Sequence, residues 1–274
     1  MNYRHAFHAG NHLDVFKHAA LTLVVARLLE KRQPFAVIDT HAGVGIYDLA
    51  SEAALKTREW QNGAAKVFGR ALASAPRYAA LLAELNGRAL TTYPGSPEIV
   101  RRMLRANDRL ICCELHPAEA AALKARYRDD RRVAVHHRDG YQAVRALLPP
   151  AERRGLVLID PPYEATDEAQ RVGQALTEGL ARWPTGIFLA WYPIKDRRIG
   201  DFLAEMAKAA RFPKCLQAEF RPYAEDGARL AGGGILVCNT PWKLDERFAA
   251  LCDELRGPLG DGAGDATIDW LTPP

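Results

Sequence analysis

The sequence lacks the features of a membrane, disulfide-stabilised or zinc-binding protein. No apolar run is long enough to span a bilayer, and the polar first residues do not resemble a signal peptide. The five cysteines are odd in number and include no C-x-x-C pair, which argues against a disulfide framework and a zinc ribbon. We therefore expect a soluble cytoplasmic protein without a metal, whose cysteines are small buried hydrophobes in a reducing compartment.

A strong excess of charge of one sign is also missing. The 274 residues include 37 Lys+Arg and 33 Asp+Glu, which gives a formal net charge of +4. This mildly basic balance permits a nucleic-acid partner without requiring one. The length is sufficient for a full-sized hydrophobic core, and we expect a single domain over residues 1–274.

The most informative segment that is present ends in Asp160-Pro161-Pro162-Tyr163. Residues 156–159 form an aliphatic run that is typical of a strand buried on both faces. Two consecutive prolines cannot continue a sheet, because neither has an N–H group to donate. The four residues are therefore expected to form a rigid turn at the carboxyl end of a parallel strand, where open α/β sheets bind their ligands.

The chemistry of this turn suits an amino group on a planar base. The Asp160 carboxylate and the Pro161 carbonyl could accept both hydrogens of an exocyclic amine, while the Tyr163 ring stacks on the base. Such acceptors would stabilise the positive charge that develops on the nitrogen during attack. The motif resembles the signature of the amino-methyltransferases that use S-adenosylmethionine. A plain turn after a strand is the structural alternative, and the buried strand in front favours the functional interpretation.

A second motif follows the first predicted strand, residues 35–39. The segment after it contains His41, Gly43 and Gly45, and glycines at this place allow backbone to approach a ligand closely. Asp48 occupies the third position of the G-x-G-x-x-G pattern, so a nucleoside site is favoured over a pyrophosphate site. The arrangement resembles the cofactor loop of Rossmann-type methyltransferases.

The remainder of the chain alternates between strands and helices, which predicts an α/β sheet with its motifs at the strand carboxyl ends. A glycine-rich hairpin at residues 231–234 is expected to join the last two strands. Further strands are predicted at residues 110–114, 133–137, 186–193, 215–221 and 234–239. Helices are predicted at residues 13–31, 97–105, 116–129, 141–148, 167–183, 199–210 and 243–255.

A long insertion separates the first two strands of this sheet. In a simple βαβ unit the acid that binds ribose follows the glycines by roughly 20 residues, whereas here it would be Glu114. Residues 49–92 are rich in alanine and leucine with helical spacing. They predict a small helical insertion subdomain on the ligand side of the sheet, where it could shape substrate access. The insertion could instead have a purely structural role, and the sequence does not distinguish this alternative from a role in substrate access.

The first residues, 1–12, are unusually rich in histidine and aromatic side chains. We expect them to form a cap or lid that presents Tyr3 to a flat substrate. A flexible tail is one alternative. A metal site at His8 and His12 is another, although Gly10 and Asn11 between them predict a loop rather than one helical face.

Several candidate residues also have structural explanations. Ser96 is a good N-cap for the helix that follows it, and a ligand contact is also open. Asp139 could cap a helix or bind an adenine amine. Lys17 and His18 lie on a predicted helix, where a single lysine or histidine is usually a solvated or packed side chain, so neither residue indicates a function by itself.

Together the motifs resemble the RlmJ-type methyltransferases, which modify adenine N6 in the 23S ribosomal RNA. The opening motif is the most specific, and the resemblance extends to the Pro-Trp-Lys sequence that contains Trp242. The residues that carry it lie in the segments 3–18, 39–45, 93–97, 114–117, 139–140 and 159–163.

The resemblance implies a Rossmann-like class I fold, S-adenosylmethionine as cofactor and methylation of a specific adenine N6 in 23S ribosomal RNA. It also implies that Asp160 is the catalytic acceptor and that Tyr3 meets the substrate. We expect a monomer without an obligatory protein partner, and no membrane association. By the resemblance, the cofactor site is lined by Lys17, His18, His41, Ser96, Glu114, Asp139 and Gly140.

In these roles Glu114 would accept the ribose hydroxyls of the cofactor, and Asp139 its adenine amine. The target base should be unstacked or flipped, with Tyr163 as its platform. An adenine in DNA, a guanine N2 amine, and a non-catalytic nucleotide-binding RNA protein stay open as alternatives. Several basic residues are candidates for contacts with RNA phosphates, and we expect only one or two of them to touch RNA. They are Arg101, Arg102, Arg105 and those of the segments 126–132, 153–154 and 195–198.

Overall fold

The computed structural model describes residues 4–224 and 230–274. Strands and helices alternate along most of this chain. The strands are β1 (Ala36–Asp39), β2 (Ile46–Asp48), β3 (Thr92–Pro94), β4 (Arg109–Glu114), β5 (Val133–His137), β6 (Gly155–Ile159), β7 (Ile187–Ile194), β8 (Leu216–Arg221), β9 (Gly232–Cys238) and β10 (Asp265–Trp270). The helices are α1 (His12–Leu29), α2 (Glu52–Thr57), α3 (Ala64–Val67), α4 (Pro76–Asn86), α5 (Ser96–Met103), α6 (Pro117–Tyr127), α7 (Gly140–Leu147), α8 (Glu168–Arg182), α9 (Arg198–Ala209) and α10 (Leu244–Leu259).

Eight strands form one twisted sheet in the order β10-β8-β9-β7-β6-β1-β4-β5. The five strands from β7 to β5 run parallel, whereas β9 is antiparallel to both β7 and β8, and β10 is antiparallel to β8. The central strand β1 lies between β4 and β6, so the carboxyl ends of these three strands meet at one edge of the sheet. The α/β fold predicted from the sequence is confirmed, with its main motifs at this edge.

Two apolar layers cover the faces of the sheet. Along β6, Leu156 and Leu158 belong to the core beneath α1, α5 and α10, whereas Val157 and Ile159 belong to the core beneath α7, α8 and α9. Every residue of β6 is buried. This explains why a central parallel strand is continuously apolar in sequence rather than alternating.

The predicted antiparallel pairing of β8 with β9 is confirmed, but the predicted position of the turn is wrong, because Gly232, Gly233 and Gly234 lie inside β9 and pair with the neighbouring strands β7 and β8. The reason is steric: a Cβ atom on Gly234 would lie 2.0 Å from Cζ of Tyr192 on the neighbouring strand. Gly233 and Gly234 make room for the aromatic rings of β7, whereas Gly232 lies against the Phe220 carbonyl of β8. Glycine inside a strand often marks such a close approach rather than a turn.

Three strands were not anticipated from the sequence. Strands β2 and β3 form a separate antiparallel pair, with α2, α3, α4 and a short 3-10 helix (Glu59–Asn62) between them. Strand β10 pairs with β8 at the sheet edge and is only partly buried. None of the helices in residues 4–224 and 230–274 has the length and apolarity needed to cross a membrane.

Candidate active site

A cavity of about 640 Å³ lies at the carboxyl ends of the central strands. This volume is in the range of sites that bind small organic molecules. Asp160 and Pro161 after β6 line it, together with the end of β4 and the first turns of α1. Because parallel strands converge here, residues that are more than a hundred positions apart share one pocket.

Most of the residues predicted for the site lie on this cavity, and three do not. Asp139, Gly140 and Tyr163 are outside its lining, and Tyr3 lies outside the described residues. The predicted residues that line it are Lys17, His18, His41, Ser96, Glu114, Asp160 and Pro161.

The Glu114 carboxylate holds the loop after β1 against the start of α6. Its Oε2 accepts a hydrogen bond from the Gly43 N–H (2.8 Å), and its Oε1 accepts one from the His116 N–H (2.7 Å). Gly43 has φ +62°, and a Cβ atom there would lie 2.2 Å from the Tyr47 hydroxyl oxygen. Each carboxylate oxygen retains a lone pair, so a fixed Glu114 can still accept two hydroxyl donors from a ligand.

Ser96 has a different role from the predicted cap. The N-cap of α5 is Gly95, so the N-cap prediction is wrong. The Ser96 hydroxyl instead donates to Oδ2 of the buried Asp39 (2.7 Å). Burial, together with the negative charges of Asp160 and Glu114, raises the pKa of Asp39 to about 7, although the Ser96 hydrogen bond opposes this shift.

Two of the histidines that line the cavity, His18 and His41, are held in the neutral form. The Nδ1 atom of His18 is hydrogen bonded to the Tyr93 hydroxyl (2.9 Å), and burial lowers the pKa of His18 to about 3. The Nδ1 atom of His41 is hydrogen bonded to the Thr40 hydroxyl (2.7 Å), and burial lowers the pKa of His41 to about 4. At neutral pH these rings offer hydrogen-bonding groups without charge.

Asp139 caps α7, which was one of its two predicted roles. Its Oδ1 accepts from the Tyr141 N–H (2.8 Å), and its Oδ2 pairs with Arg171 (3.2 Å). Gly140 allows α7 to approach the end of β1, because a Cβ atom on it would lie 2.1 Å from the Thr40 carbonyl oxygen. Binding of an adenine amine by Asp139 stays a prediction.

Asp160 is paired with a lysine from the first turns of α1. The Lys17 ammonium lies 2.7 Å from Asp160 Oδ2 and 3.0 Å from Asp14 Oδ1. It also lies 5.1 Å from the centre of the Trp191 ring. The other oxygen of Asp14 accepts from the Gly10 N–H and contacts Nε2 of His5, each at 2.9 Å.

Sequence reasoning missed Asp14, His5 and Trp191 as members of this cluster. The i, i+3 spacing of Asp14 and Lys17 on a helix was an available signal for the first of them. No local pattern identifies Trp191, because it reaches the site from β7.

Tyr163 is held beside the cavity by the same tryptophan. Its hydroxyl donates to the Trp191 carbonyl (2.9 Å), and the two rings meet edge to face with centroids 5.9 Å apart. Its backbone has φ +53°, which is uncommon for a residue with a side chain. Stacking of Tyr163 on a substrate base stays a prediction.

The N-terminal segment is hydrogen bonded to the region between β2 and β3. The Glu59 carboxylate contacts Nδ1 of His8 (2.9 Å) and accepts from the Asn11 side-chain amide (3.0 Å). The Ala64 N–H donates to the Gly10 carbonyl (2.7 Å). Glu59 and Asn62 also line the cavity, so both segments contribute to its wall.

Several arginines predicted to contact phosphate are engaged within the protein. Arg101 and Arg102 pair with Glu98, and Arg105 pairs with Asp108. Arg132 pairs with Asp130. Over the part of the chain that the structure describes, no group of three or more His, Cys, Asp or Glu side chains is arranged to hold a metal ion.

Comparison with known proteins gives a consistent family assignment. The family model described as ribosomal RNA large subunit methyltransferase D, RlmJ, matches residues 32–272. A protein of Escherichia coli (strain K12) named ribosomal RNA large subunit methyltransferase J is 39% identical over 278 residues, which cover 100% of this chain and 99% of that protein. A Haemophilus influenzae protein of the same name is 38% identical, with 100% and 99% covered.

A solved structure shows the same fold. The crystal structure of a Legionella pneumophila protein superposes with a TM-score of 0.89 at 31% identity, covering 96% of this chain and 98% of that chain. The predicted Rossmann-like methyltransferase fold, the enzyme class and S-adenosylmethionine as its cofactor are confirmed by this assignment. The chain belongs to the RlmJ family of ribosomal RNA large subunit methyltransferases.

Proposed function

We propose that this enzyme transfers a methyl group from S-adenosylmethionine to the N6 amine of a specific adenine in 23S ribosomal RNA. The observation that carries the proposal is that Asp160 and Pro161 line the same cavity as Glu114 and the loop at Gly43. An acceptor for an amine thus faces the residues suited to a nucleoside cofactor. The names of the relatives support ribosomal RNA as the substrate class.

The cofactor fits the donors and acceptors on one side of the cavity. Glu114, fixed by two backbone N–H groups, would bind the ribose hydroxyls, and the neutral His41 and the Gly43 loop would adjoin them. S-adenosylmethionine supplies an electrophilic methyl group when it is bound. The main task of the protein is then to hold the two reactants in line, because orientation accounts for a large part of such catalysis.

On the acceptor side, Asp160 and the Pro161 carbonyl would accept the two hydrogens of the adenine amine. The Asp160 side chain is 13% exposed, so its charge acts with little screening by water. An amine held on these acceptors gains stabilisation as its nitrogen becomes positive during attack. The base must leave its stack to reach this position, and Tyr163 would be its platform.

We propose that residues 49–92 form a subdomain that works together with the N-terminal cap. Its support is the bonding of Glu59 to His8 and Asn11, which places both segments on the cavity wall. In this arrangement Tyr3, at the start of the cap, would meet the substrate. We further propose that the enzyme acts as a monomer in the cytoplasm.

The test of the reaction is incubation with radiolabelled S-adenosylmethionine and undermethylated 23S ribosomal RNA, followed by nucleoside analysis. Label in N6-methyladenosine is expected. Label in methylated guanosine would retain the mechanism and overturn the choice of base. Stronger labelling of duplex DNA than of RNA would overturn the choice of nucleic acid.

The role of Asp160 is tested by the substitution Asp160→Ala. Removing one electrostatic partner of a transition state lowers kcat by about 10²–10³-fold. We expect a loss of this size with nearly unchanged cofactor affinity in calorimetry, because Asp160 acts on the acceptor amine. Asp167→Ala removes an exposed carboxylate nearby and should leave kcat unchanged. Full activity of Asp160→Ala would contradict the mechanism.

A further inference from the structure

A buried carboxylate with several polar partners lies beside the cavity, on Asp14 of α1. The residue is 2% exposed, and its oxygens are shared among His5, the Gly10 N–H and Lys17. Burial alone would raise the pKa of Asp14, but electrostatic interactions with His5 and Lys17 hold the pKa well below its ordinary value. Asp14 is therefore ionised at neutral pH in the wall of the site.

Lys17 lies between two carboxylates that compete for its ammonium group. The ammonium is 2.7 Å from Asp160 Oδ2 and 3.0 Å from Asp14 Oδ1, and the lysine side chain is only 6% exposed. In this arrangement the ammonium is paired with Oδ2 of Asp160, an oxygen that is suited to accepting a hydrogen bond from the target amine. Binding of the amine there requires the ammonium to weaken or leave that contact.

A buried ammonium ion leaves one carboxylate readily only if another remains beside it, because an unpaired buried charge is strongly destabilised. Asp14 meets this requirement, since it already contacts the same nitrogen atom. Without the charge of Asp14, Lys17 would keep only one of these two carboxylate contacts, that with Asp160, and would compete with the substrate for its oxygen. The contact would then become stronger, not weaker, when Asp14 is neutralised.

We propose that Asp14 is a positioning residue for methyl transfer, which retains the Lys17 ammonium so that Asp160 can exchange that contact for the target amine. The inference rests on the proposed function, because it assigns Asp160 to the acceptor amine. Asp14 also connects this exchange to the cap, since its Oδ2 binds His5 and the Gly10 N–H. The amide oxygen in Asp14→Asn can still accept the Gly10 hydrogen bond, so this substitution tests the charge beside Lys17 rather than the contact with the cap.

The direct test is Asp14→Asn, which preserves the shape of the side chain and removes its charge. A small misplacement of reacting groups can lower a rate by about a hundredfold, and we expect kcat on undermethylated 23S ribosomal RNA to fall by about that factor. The KM for S-adenosylmethionine should change much less than kcat. Glu219→Gln is the matched control: it neutralises another carboxylate that is paired with an arginine, outside the cavity lining, and should leave kcat unchanged.

A double-mutant cycle with Lys17→Met separates positioning from general stabilisation. If Asp14 acts through Lys17, then Asp14→Asn has no further effect once the ammonium is gone, and Lys17→Met and the double variant have the same kcat. If the two substitutions instead lower kcat by factors that multiply in the double variant, Asp14 acts independently of Lys17 and the inference is overturned. The double variant leaves no lone buried ammonium, so the comparison stands even if Asp14→Asn alone does not fold.

The failure of this inference is distinguishable from failure of the proposed function. Wild-type enzyme that produces no N6-methyladenosine would overturn the proposed function, and this inference with it. Active wild-type enzyme together with a full-rate Asp14→Asn variant overturns the inference alone.

Discussion

Asp39 ends β1 with a fully buried carboxylate that accepts a hydrogen bond from Ser96. Its pKa is raised by burial from its ordinary value of 3.8 to about 7. Between these pH values the folded protein binds a proton that the unfolded chain has lost. The stability that this proton provides is complete below about pH 4 and is lost as the pH rises to about 7.

We therefore expect Asp39→Asn to be more stable than the wild type above pH 7 and equally stable near pH 4. Each pH unit between the two pKa values corresponds to about 1.4 kcal/mol, so the gain should be on the order of a few kcal/mol. Urea unfolding over this pH range measures it. Asp167→Asn, at an exposed position, should show no such dependence. A stability difference that is constant with pH would contradict the assignment.

At the scale of residues, the sequence predicted the candidate site residues that come directly after a strand. Glu114 and Asp160 follow apolar runs, and the rule that ligands bind at strand carboxyl ends brought them together. Asp14 could not be found in the same way, because its importance depends on Asp160, which is remote in sequence. Tyr163 was predicted as a platform from its chemistry, whereas its position beside Trp191 depends on tertiary packing.

At the scale of elements, β9 shows how tightly glycine positions are constrained. In Gly234→Ala the added Cβ atom would lie 2.0 Å from the Tyr192 ring, and overpacking of this kind costs about 1–3 kcal/mol. Apart from its chain neighbours and its own helix backbone, Gly257 in α10 has no atom within 4 Å of such a Cβ atom. Gly257→Ala should therefore change the stability much less than Gly234→Ala, because the helix-forming advantage of alanine is opposed by crowding between its Cβ atom and the ring of Pro258.

Thermal unfolding of the two variants measures this contrast, and similar effects at both positions would contradict the packing described for β9. The same strand explains one error of prediction. Three successive glycines indicate a turn when only local propensities are considered. The groups that require glycine here lie on neighbouring strands: aromatic rings on β7 and backbone atoms on β8. The partly exposed edge strand β10 has no long apolar run to identify it.

At the scale of the whole molecule, the cavity joins sequence-distant segments, so a ligand that fills it should stabilise the entire fold. At a concentration of S-adenosylmethionine 100 times its Kd, the expected gain is about 2.7 kcal/mol. For a chain of this size the Tm should rise by roughly 5–10 °C. Glu114→Gln should lose most of this shift, because it removes the charge that we propose binds the ribose hydroxyls. An equal shift in wild type and variant would contradict the predicted cofactor site.

The order of strands in the sheet also has a consequence for synthesis of the protein. Strand β9 lies between β7 and β8 although it follows both along the chain. A nascent chain that ends before Gly232 therefore has β7 and β8 available but not the strand that joins them. Strands β7 and β8 can be joined only after residues 232–238 have left the translating ribosome, and the edge strand β10 follows later still, so the enzyme reaches its finished form late in its own translation.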